Sequence, residues 1–235
     1  MFNRKRKLSH VVIIRMHYPE NDPRFEFRFD FFKAMVLPRL LNQTVGDFDI
    51  AIWCNKWHED RIKALSDRII TFSIRKSAEG YIRPEDRERA KEYGGSYFID
   101  FTKWSNVIGL DMYDIQTGLD TDDLILRDDY IEKIEELCNK TRRSLHLSFQ
   151  PYMFDVNTLR TYSCPFRYSP TKGSPFLSLF QPRKYYYKFL YHDSHLKMGR
   201  YGSKSVVIPE GYCAFSIHGN NESSRIPPKS KRILL

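Results

Sequence analysis

Apolar positions along the chain fall in short runs, and their spacing alternates between that of a strand and that of a helix. Val11 to Ile14 are uninterrupted and β-branched, the pattern of a central strand covered on both faces. Asp22 and Pro23 then read as an N-cap with proline in the first helical turn. Phe25, Phe29, Phe32, Val36 and Leu40 step by four, three, four and four, a helical stripe that Pro38 should kink or break. After a polar turn at residues 42–47, a second strand is expected over Asp49 to Trp53, a helix over His58 to Arg68 and a third strand over Ile69 to Phe72. Strands alternating with helices argue for a parallel sheet with helices on both faces. Ligands of such sheets gather at the carboxyl ends of the strands.

The second half is more broken. Ser73 to Gly95 is highly charged and predicts an exposed helix, and a further helix should end within Trp104 to Leu110. The half-apolar run from Tyr113 then reads as a strand. Asp129 with Glu132 has capping-box spacing for a helix whose buried face is Ile131, Ile134, Leu137 and Cys138. Leu145 to Phe149 alternates as a strand, with Tyr152 to Tyr162 expected to pair with it. Cys164 to Pro182 holds four prolines and predicts loop or lid. Lys184 to His195 is dense in aromatics and bases, which suits an acceptor groove, single-stranded nucleic acid or a half-buried helix. Val206 to Ile208 and Tyr212 to Ile217 read as strands, the second leading into His218. With no internal repeat, the expectation is one α/β domain over residues 1–235: a nucleotide-binding half over about 8–126, a C-terminal half over about 127–222 and a basic tail over 223–235.

Composition narrows the partners more than the fold. With 235 residues, 41% hydrophobic and 15% aromatic, the chain suits a packed globule and not a disordered one. Its net charge of +9 favours anionic partners, whether phosphorylated molecules, nucleic acid or an acidic membrane. Cys54, Cys138, Cys164 and Cys213 make no CxxC, so neither a zinc site nor a disulfide framework is signalled. Four basic residues precede Val11 to Ile14, but that apolar run is too short for a signal core. The expectation is a cytoplasmic protein, soluble or in peripheral contact with an anionic membrane through the basic IPPKSKRILL end, which otherwise reads as a mobile, solvated tail.

The chemistry concentrates in YDIQTGLDTDDLI, Tyr113 to Ile125, where a strand ends in Asp120, Thr121, Asp122 and Asp123. Two like charges roughly 4 Å apart repel by about 4 kcal/mol at an effective dielectric of about 20. A solvated acidic turn is one answer to that repulsion. A hard divalent cation, Mn²⁺ or Mg²⁺, shared with phosphate is the other. An EF-hand fails, because the fifth, sixth and twelfth loop positions from Asp120 are Leu124, Ile125 and Ile131. A phosphatase of the haloacid-dehalogenase type would want Thr or Val where Leu124 stands, and its aspartates after the chain's first strand. No Walker loop or GxGxxG is present. Two chemistries remain: metal-dependent cleavage of a phosphate ester, as in a nuclease or phosphatase, and glycosyl transfer from a nucleotide sugar. A non-catalytic nucleic-acid or membrane-binding module is the alternative from another class.

Four segments favour glycosyl transfer. RFDFFKAMVLPRLLNQTVGDFDIAIW, QTGLDTDD, SPFLSLFQ and AFSIHGNN resemble, in order, signature segments of the bacterial and viral rhamnosyltransferase family, relatives of the GT-A glycosyltransferases. The resemblance covers about Val11 to Asn221. It implies a GT-A-like, Rossmann-like fold with a mostly parallel sheet flanked by helices and a smaller antiparallel C-terminal portion. It also implies a nucleoside-diphosphate sugar donor, a glycan or other hydroxyl acceptor, and no specific nucleic acid.

Carried over by position, Asp120 matches the first DxD aspartate, facing ribose or metal. Asp122 matches the metal-chelating one, Asp123 a second ligand or its hydrogen-bonding support, and His218 the C-terminal histidine at the metal or pyrophosphate. Arg15 and Arg28 match arginines that contact the donor. Gly118 stands where the family has Arg, and Gln181 where it often has Glu, which removes one candidate general base. The base that an inverting reaction needs is therefore expected at Asp193, with Asp155 second. A capping or salt-bridged role for Asp193 remains the local alternative.

Overall fold

The Val11–Ile14 run forms the middle of β1 (His10–Met16), and all four of these side chains are fully buried. The computed structural model describes residues 7–18, 20–74, 109, 113–141, 143–167, 176–182, 204–218 and 230–234. On one side β1 pairs in parallel with β2 (Asp49–Asn55), which pairs in parallel with β3 (Ile69–Ile74). On the other side it pairs in parallel with β4 (Ile115–Asp120). The large sheet is completed by β6 (Leu145–Phe149), β9 (Leu177–Phe180) and β10 (Lys204–Ile208), in the order β10-β6-β9-β4-β1-β2-β3. Only β9 runs antiparallel to its neighbours, so the sheet is mostly parallel.

A second, smaller sheet has the order β12-β8-β7-β11-β5. Its strands are β5 (Asp123–Ile125), β7 (Tyr152–Asp155), β8 (Arg160–Ser163), β11 (Cys213–Ile217) and β12 (Arg232–Ile233). All its pairs are antiparallel except β11 with β7. The expected α/β, mostly parallel architecture with a smaller antiparallel portion is what the chain adopts.

Several local expectations hold in detail. Asp22 caps α1 (Pro23–Phe31), its side chain accepting from the Arg24 N–H at 2.9 Å. Phe25, Phe29, Phe32, Val36 and Leu40 are all buried in the main core, each removing from water a side chain worth about 1.5–3 kcal/mol. Pro38 does not break this helix. A π-helical turn over Phe32–Val36, closed by the Leu37 N–H on the Phe32 carbonyl, widens the helix before α2 (Leu37–Leu41) begins. That extra residue relieves the clash a proline ring makes with the preceding turn.

Other expectations are corrected. The helix predicted over His58 to Arg68 is shorter: a 3₁₀ turn at Lys56–His58 and then α3 (Glu59–Lys63). The helix ends at Lys63, and beyond it the Ser66 hydroxyl accepts from the Arg68 N–H as the chain turns into β3. Tyr152 to Tyr162 does not pair with β6; it folds on itself as the β7–β8 hairpin and joins the other sheet through β11. Leu177–Phe180, expected in a loop, is an interior strand between β4 and β6. Residues 230–234 of the tail are ordered, with Arg232–Ile233 paired to β8. The helices expected within Ser73 to Gly95 and Trp104 to Leu110 lie outside the described residues, apart from Ser73, Ile74 and Gly109, as does the Lys184 to His195 segment.

The capping box also fails. Asp129 makes no cap for α4 (Tyr130–Asn139), because its carboxylate is held by the Arg127 guanidinium at 2.7 Å. The N–H of Ile131 is satisfied from far away, by the Gln43 side-chain oxygen at 3.0 Å. Across the sheet, a buried polar chain runs from His10 Nε2 to the Thr117 hydroxyl (2.9 Å) and on to the Ser178 hydroxyl (2.8 Å), tying β1, β4 and β9 together. None of the four cysteines forms a disulfide, and all are buried. No helix among the described residues is long and apolar enough to cross a membrane.

Candidate active site

The acidic stretch marks the point where the chain leaves one sheet for the other. β4 ends at Asp120 in the large sheet, Thr121 and Asp122 turn, and Asp123 opens β5 in the small one. Beside β4, Arg15 is the register partner of Asp120, and their side chains form an ion pair at 3.1 Å. Both are partly open to solvent, with 34% and 43% of their side-chain surfaces exposed. Beside β5, β11 runs antiparallel, with Phe215 opposite Asp123. Its end delivers His218, whose Nε2 lies 2.9 Å from Asp122 Oδ2.

The second oxygen of Asp122 is taken from above. α1 lies over this seam and pairs the Arg28 guanidinium with Asp122 Oδ1. The preceding residue, Phe27, sets its ring 4.6 Å from the His218 ring. The helix is fixed there on its other side by Arg61, which holds Glu26 with two hydrogen bonds of 2.6 and 2.8 Å. Phe25 adds a parallel stack on His58 at 3.5 Å between centroids. Asp122 and His218 are almost sealed, at 8% and 3% side-chain exposure, and Arg28 keeps only 14%.

Asp123 is likewise buried and accepts the Asp120 backbone N–H at 3.2 Å. Burial first, then the charges of Asp120 and Asp122, push its carboxyl well above the usual carboxylate range. His17, just beyond β1, moves the other way. Burial and then the Arg15 charge push its imidazole down to about 3, against a smaller opposing effect of Asp120. It is therefore neutral at physiological pH.

Of the residues picked out in the sequence, Arg15, Arg28, Asp120, Asp122, Asp123 and His218 converge on this one seam, although they come from four strand ends and a helix. Asp193 lies outside the described residues. Asp155 ends β7, one strand over from Ile217, but its carboxylate closes the β7–β8 turn. It accepts the Asn157 N–H at 3.0 Å and the Thr158 hydroxyl at 2.7 Å. Phe27 and His17 were not singled out in the sequence. The only signal for either was its place, one residue before Arg28 and two after Arg15.

Carboxylate oxygens are donors that both Mg²⁺ and Mn²⁺ accept, and an imidazole nitrogen beside them favours Mn²⁺ over Mg²⁺. Among the described residues no three His, Cys, Asp or Glu side chains stand together as a ready cage. Mg²⁺ is commonly held by one or two carboxylates together with phosphate oxygens and water, so the donor set here suits such an ion in company with a phosphate.

No protein-family model and no curated protein sequence matches the chain. Solved structures do. The S. aureus TarS 1–349 structure in complex with UDP-GlcNAc is 11% identical, with a TM-score of 0.51 over 94% of this chain and 62% of that one. A structure described as a nucleotide-diphospho-sugar transferase from Desulfovibrio desulfuricans G20 is 9% identical, with a TM-score of 0.46 over 87% of this chain and 81% of the other. Mouse xyloside xylosyltransferase 1 is 12% identical, with a TM-score of 0.41 over 61% and 54%. The first of these likenesses is a likeness of fold, and with the topology above it identifies the fold as GT-A-like.

Proposed function

We propose that this chain is a glycosyltransferase. It moves a sugar, of the hexose or rhamnose kind, from a nucleoside diphosphate to a glycan or other hydroxyl acceptor, with Mn²⁺ or Mg²⁺ as cofactor. One observation carries the reading. Three aspartates, two arginines and a histidine meet at the carboxyl end of β4, where a sheet of this kind receives its ligands. The fold is shared with a protein solved with UDP-GlcNAc, which supports a nucleotide-sugar donor.

In this reading Asp122, Asp120 and His218 hold the ion, with Asp123 behind them. When bound, a divalent cation neutralises charge developing on the departing diphosphate. Arg15 and Arg28 orient the diphosphate, since a guanidinium presents a fork of donors matched to phosphate oxygens. Asp120, the more exposed of the aspartates, faces the ribose or the ion. The low exposure of Asp122 and His218 keeps water from the donor end, which limits its hydrolysis. Asp193 removes the proton from the acceptor hydroxyl, with Asp155 as the second choice. The basic tail is assigned to peripheral contact with an anionic membrane near the acceptor.

The test is a panel of UDP-, GDP- and dTDP-sugars with Mn²⁺ or Mg²⁺, read as donor hydrolysis and thermal shift. Metal-dependent stabilisation by donors of one base, with slow release of the diphosphate, is expected. Absence of both across the panel would sink the proposal.

A further inference from the structure

The ion pair between Arg28 and Asp122 has a consequence for how such a site fills. Asp122 offers one oxygen to Arg28 and the other to His218, so both are engaged before any ligand arrives. Asp120 is likewise paired with Arg15. The site thus carries its own counter-ions, one arginine for each of these two carboxylates. A bare divalent cation approaching Asp122 meets a guanidinium already in place.

We propose that Arg28 is a resident counter-ion that closes Asp122 to metal alone and releases it only to metal arriving with a diphosphate. The inference rests on the donor-site reading above and adds to it an order of occupancy. Its physical basis is the enclosure of Arg28, whose side chain keeps 14% of its surface exposed. A guanidinium pulled from its carboxylate in such a place needs another anion, because an unpaired charge with little access to water is strongly disfavoured. A diphosphate supplies that anion, and its oxygens suit the bidentate fork. Metal and diphosphate therefore each remove an obstacle to the other, and their affinities are coupled reciprocally.

α1 is built to keep Arg28 over the seam while it changes partner. Its backbone is fixed by the Asp22 cap, by the Arg61–Glu26 pair and by the Phe25–His58 stack. Phe27 packs on His218 from the same helix, so the histidine keeps its position when Asp122 turns from Arg28 to the ion. The exchange then needs only a change of side-chain rotamer at Arg28, with no movement of the helix.

Titration calorimetry with Mn²⁺ alone, a nucleoside diphosphate alone (UDP, GDP and dTDP in turn) and the two together tests this on the wild type, Arg28→Met and Arg28→Gln. The glutamine variant keeps a hydrogen-bond donor toward Asp122 without the charge, and it serves should the methionine variant fail to fold. For the wild type, the diphosphate should tighten Mn²⁺ binding about tenfold or more, within the usual range of such couplings. Both variants should bind Mn²⁺ alone about tenfold more tightly than the wild type, bind the diphosphate more weakly and lose most of the coupling. If the wild type takes up Mn²⁺ and diphosphate together but the folded variants bind Mn²⁺ no better than it does, the counter-ion role is refuted and the donor site stands. If the wild type takes up neither, even together, the donor-site reading falls and this inference with it.

Discussion

Gln43 is the residue whose replacement should most clearly expose how the connection from β5 to α4, just beyond the acidic stretch, is held. Its side-chain amide donates to the carbonyls of Arg39 (3.0 Å) and Arg127 (3.1 Å), and its oxygen accepts the Ile131 N–H at 3.0 Å. One side chain thus ties the end of α2 to the segment between β5 and α4 and caps α4 from 88 residues away. Its neighbours help: the Thr44 N–H donates to the Asp128 carbonyl at 2.8 Å, and the Thr44 hydroxyl to Glu132 at 2.8 Å. A net hydrogen bond contributes about 1 kcal/mol, and a buried group left without its partner costs about 1–3 kcal/mol. Gln43 is 8% exposed, so Gln43→Ala should lose about 3 kcal/mol, or about 6–12 °C in Tm for a chain of this size. Gln43→Met keeps the volume and should lose nearly as much, because the hydrogen bonds dominate. Gln43→Glu turns a carboxylate toward two carbonyls, which raises its pKa in the folded state. Its stability is therefore greatest at acid pH and falls as the pH rises through that value. Thermal melts at pH 5 and pH 8 check all three. A methionine variant melting within about 2 °C of the wild type would show that the amide network is not what secures this connection.

Two further expectations concern protonation and one concerns the base. His17, pushed down to about 3 from an ordinary value near 6.5, contributes stability that is complete above pH 6.5 and is lost as the pH falls toward 3, on the order of 5 kcal/mol in all. His17→Gln should flatten acid unfolding between pH 6 and 4, and an unchanged profile would contradict the assignment. Asp123, raised well above the ordinary carboxylate value, has the opposite sign. Its contribution is complete below about pH 3.8 and is lost as the pH rises through its folded value. Asp123→Asn should therefore be no less stable than the wild type at pH 7 by denaturant titration, and a clear destabilisation would refute the raised value. In steady-state assays with the donor found by the panel, Asp193→Asn should lower kcat by about a hundredfold or more, and Asp155→Asn by less than about twofold. The reverse pattern would move the base to Asp155.

Much of the fold was legible because its signals are local. The unbroken, β-branched Val11–Ile14 run fits a strand covered on both faces, and Asp22-Pro23 caps and opens α1 by chemistry contained in three residues. What escaped depends on distant partners. Leu177–Phe180 is four residues in a proline-rich stretch, and only its pairing with β4 and β6 makes it a strand. The cap of α4 was misassigned because Asp129 has a nearer cation in Arg127, while the true acceptor, Gln43, lies in a turn that local spacing cannot link to it. The same division holds at the candidate site. Three aspartates at a strand end announce themselves as a charge cluster. That Arg28 pairs with Asp122 follows only from where α1 lands, which is set by its packing against His58 and Arg61.

The most direct measurement is Mn²⁺-dependent binding of UDP, GDP and dTDP to the wild type and to Asp122→Asn, by titration calorimetry on folded protein. Asparagine keeps the shape of Asp122 and its contact with His218 but removes the charge on which metal and diphosphate depend. One of the three diphosphates should bind the wild type in a Mn²⁺-dependent manner, and Asp122→Asn should weaken that binding about tenfold or more. Equal affinity in the two proteins, or no binding of any of the three to the wild type, would contradict a nucleotide-sugar site at the end of β4.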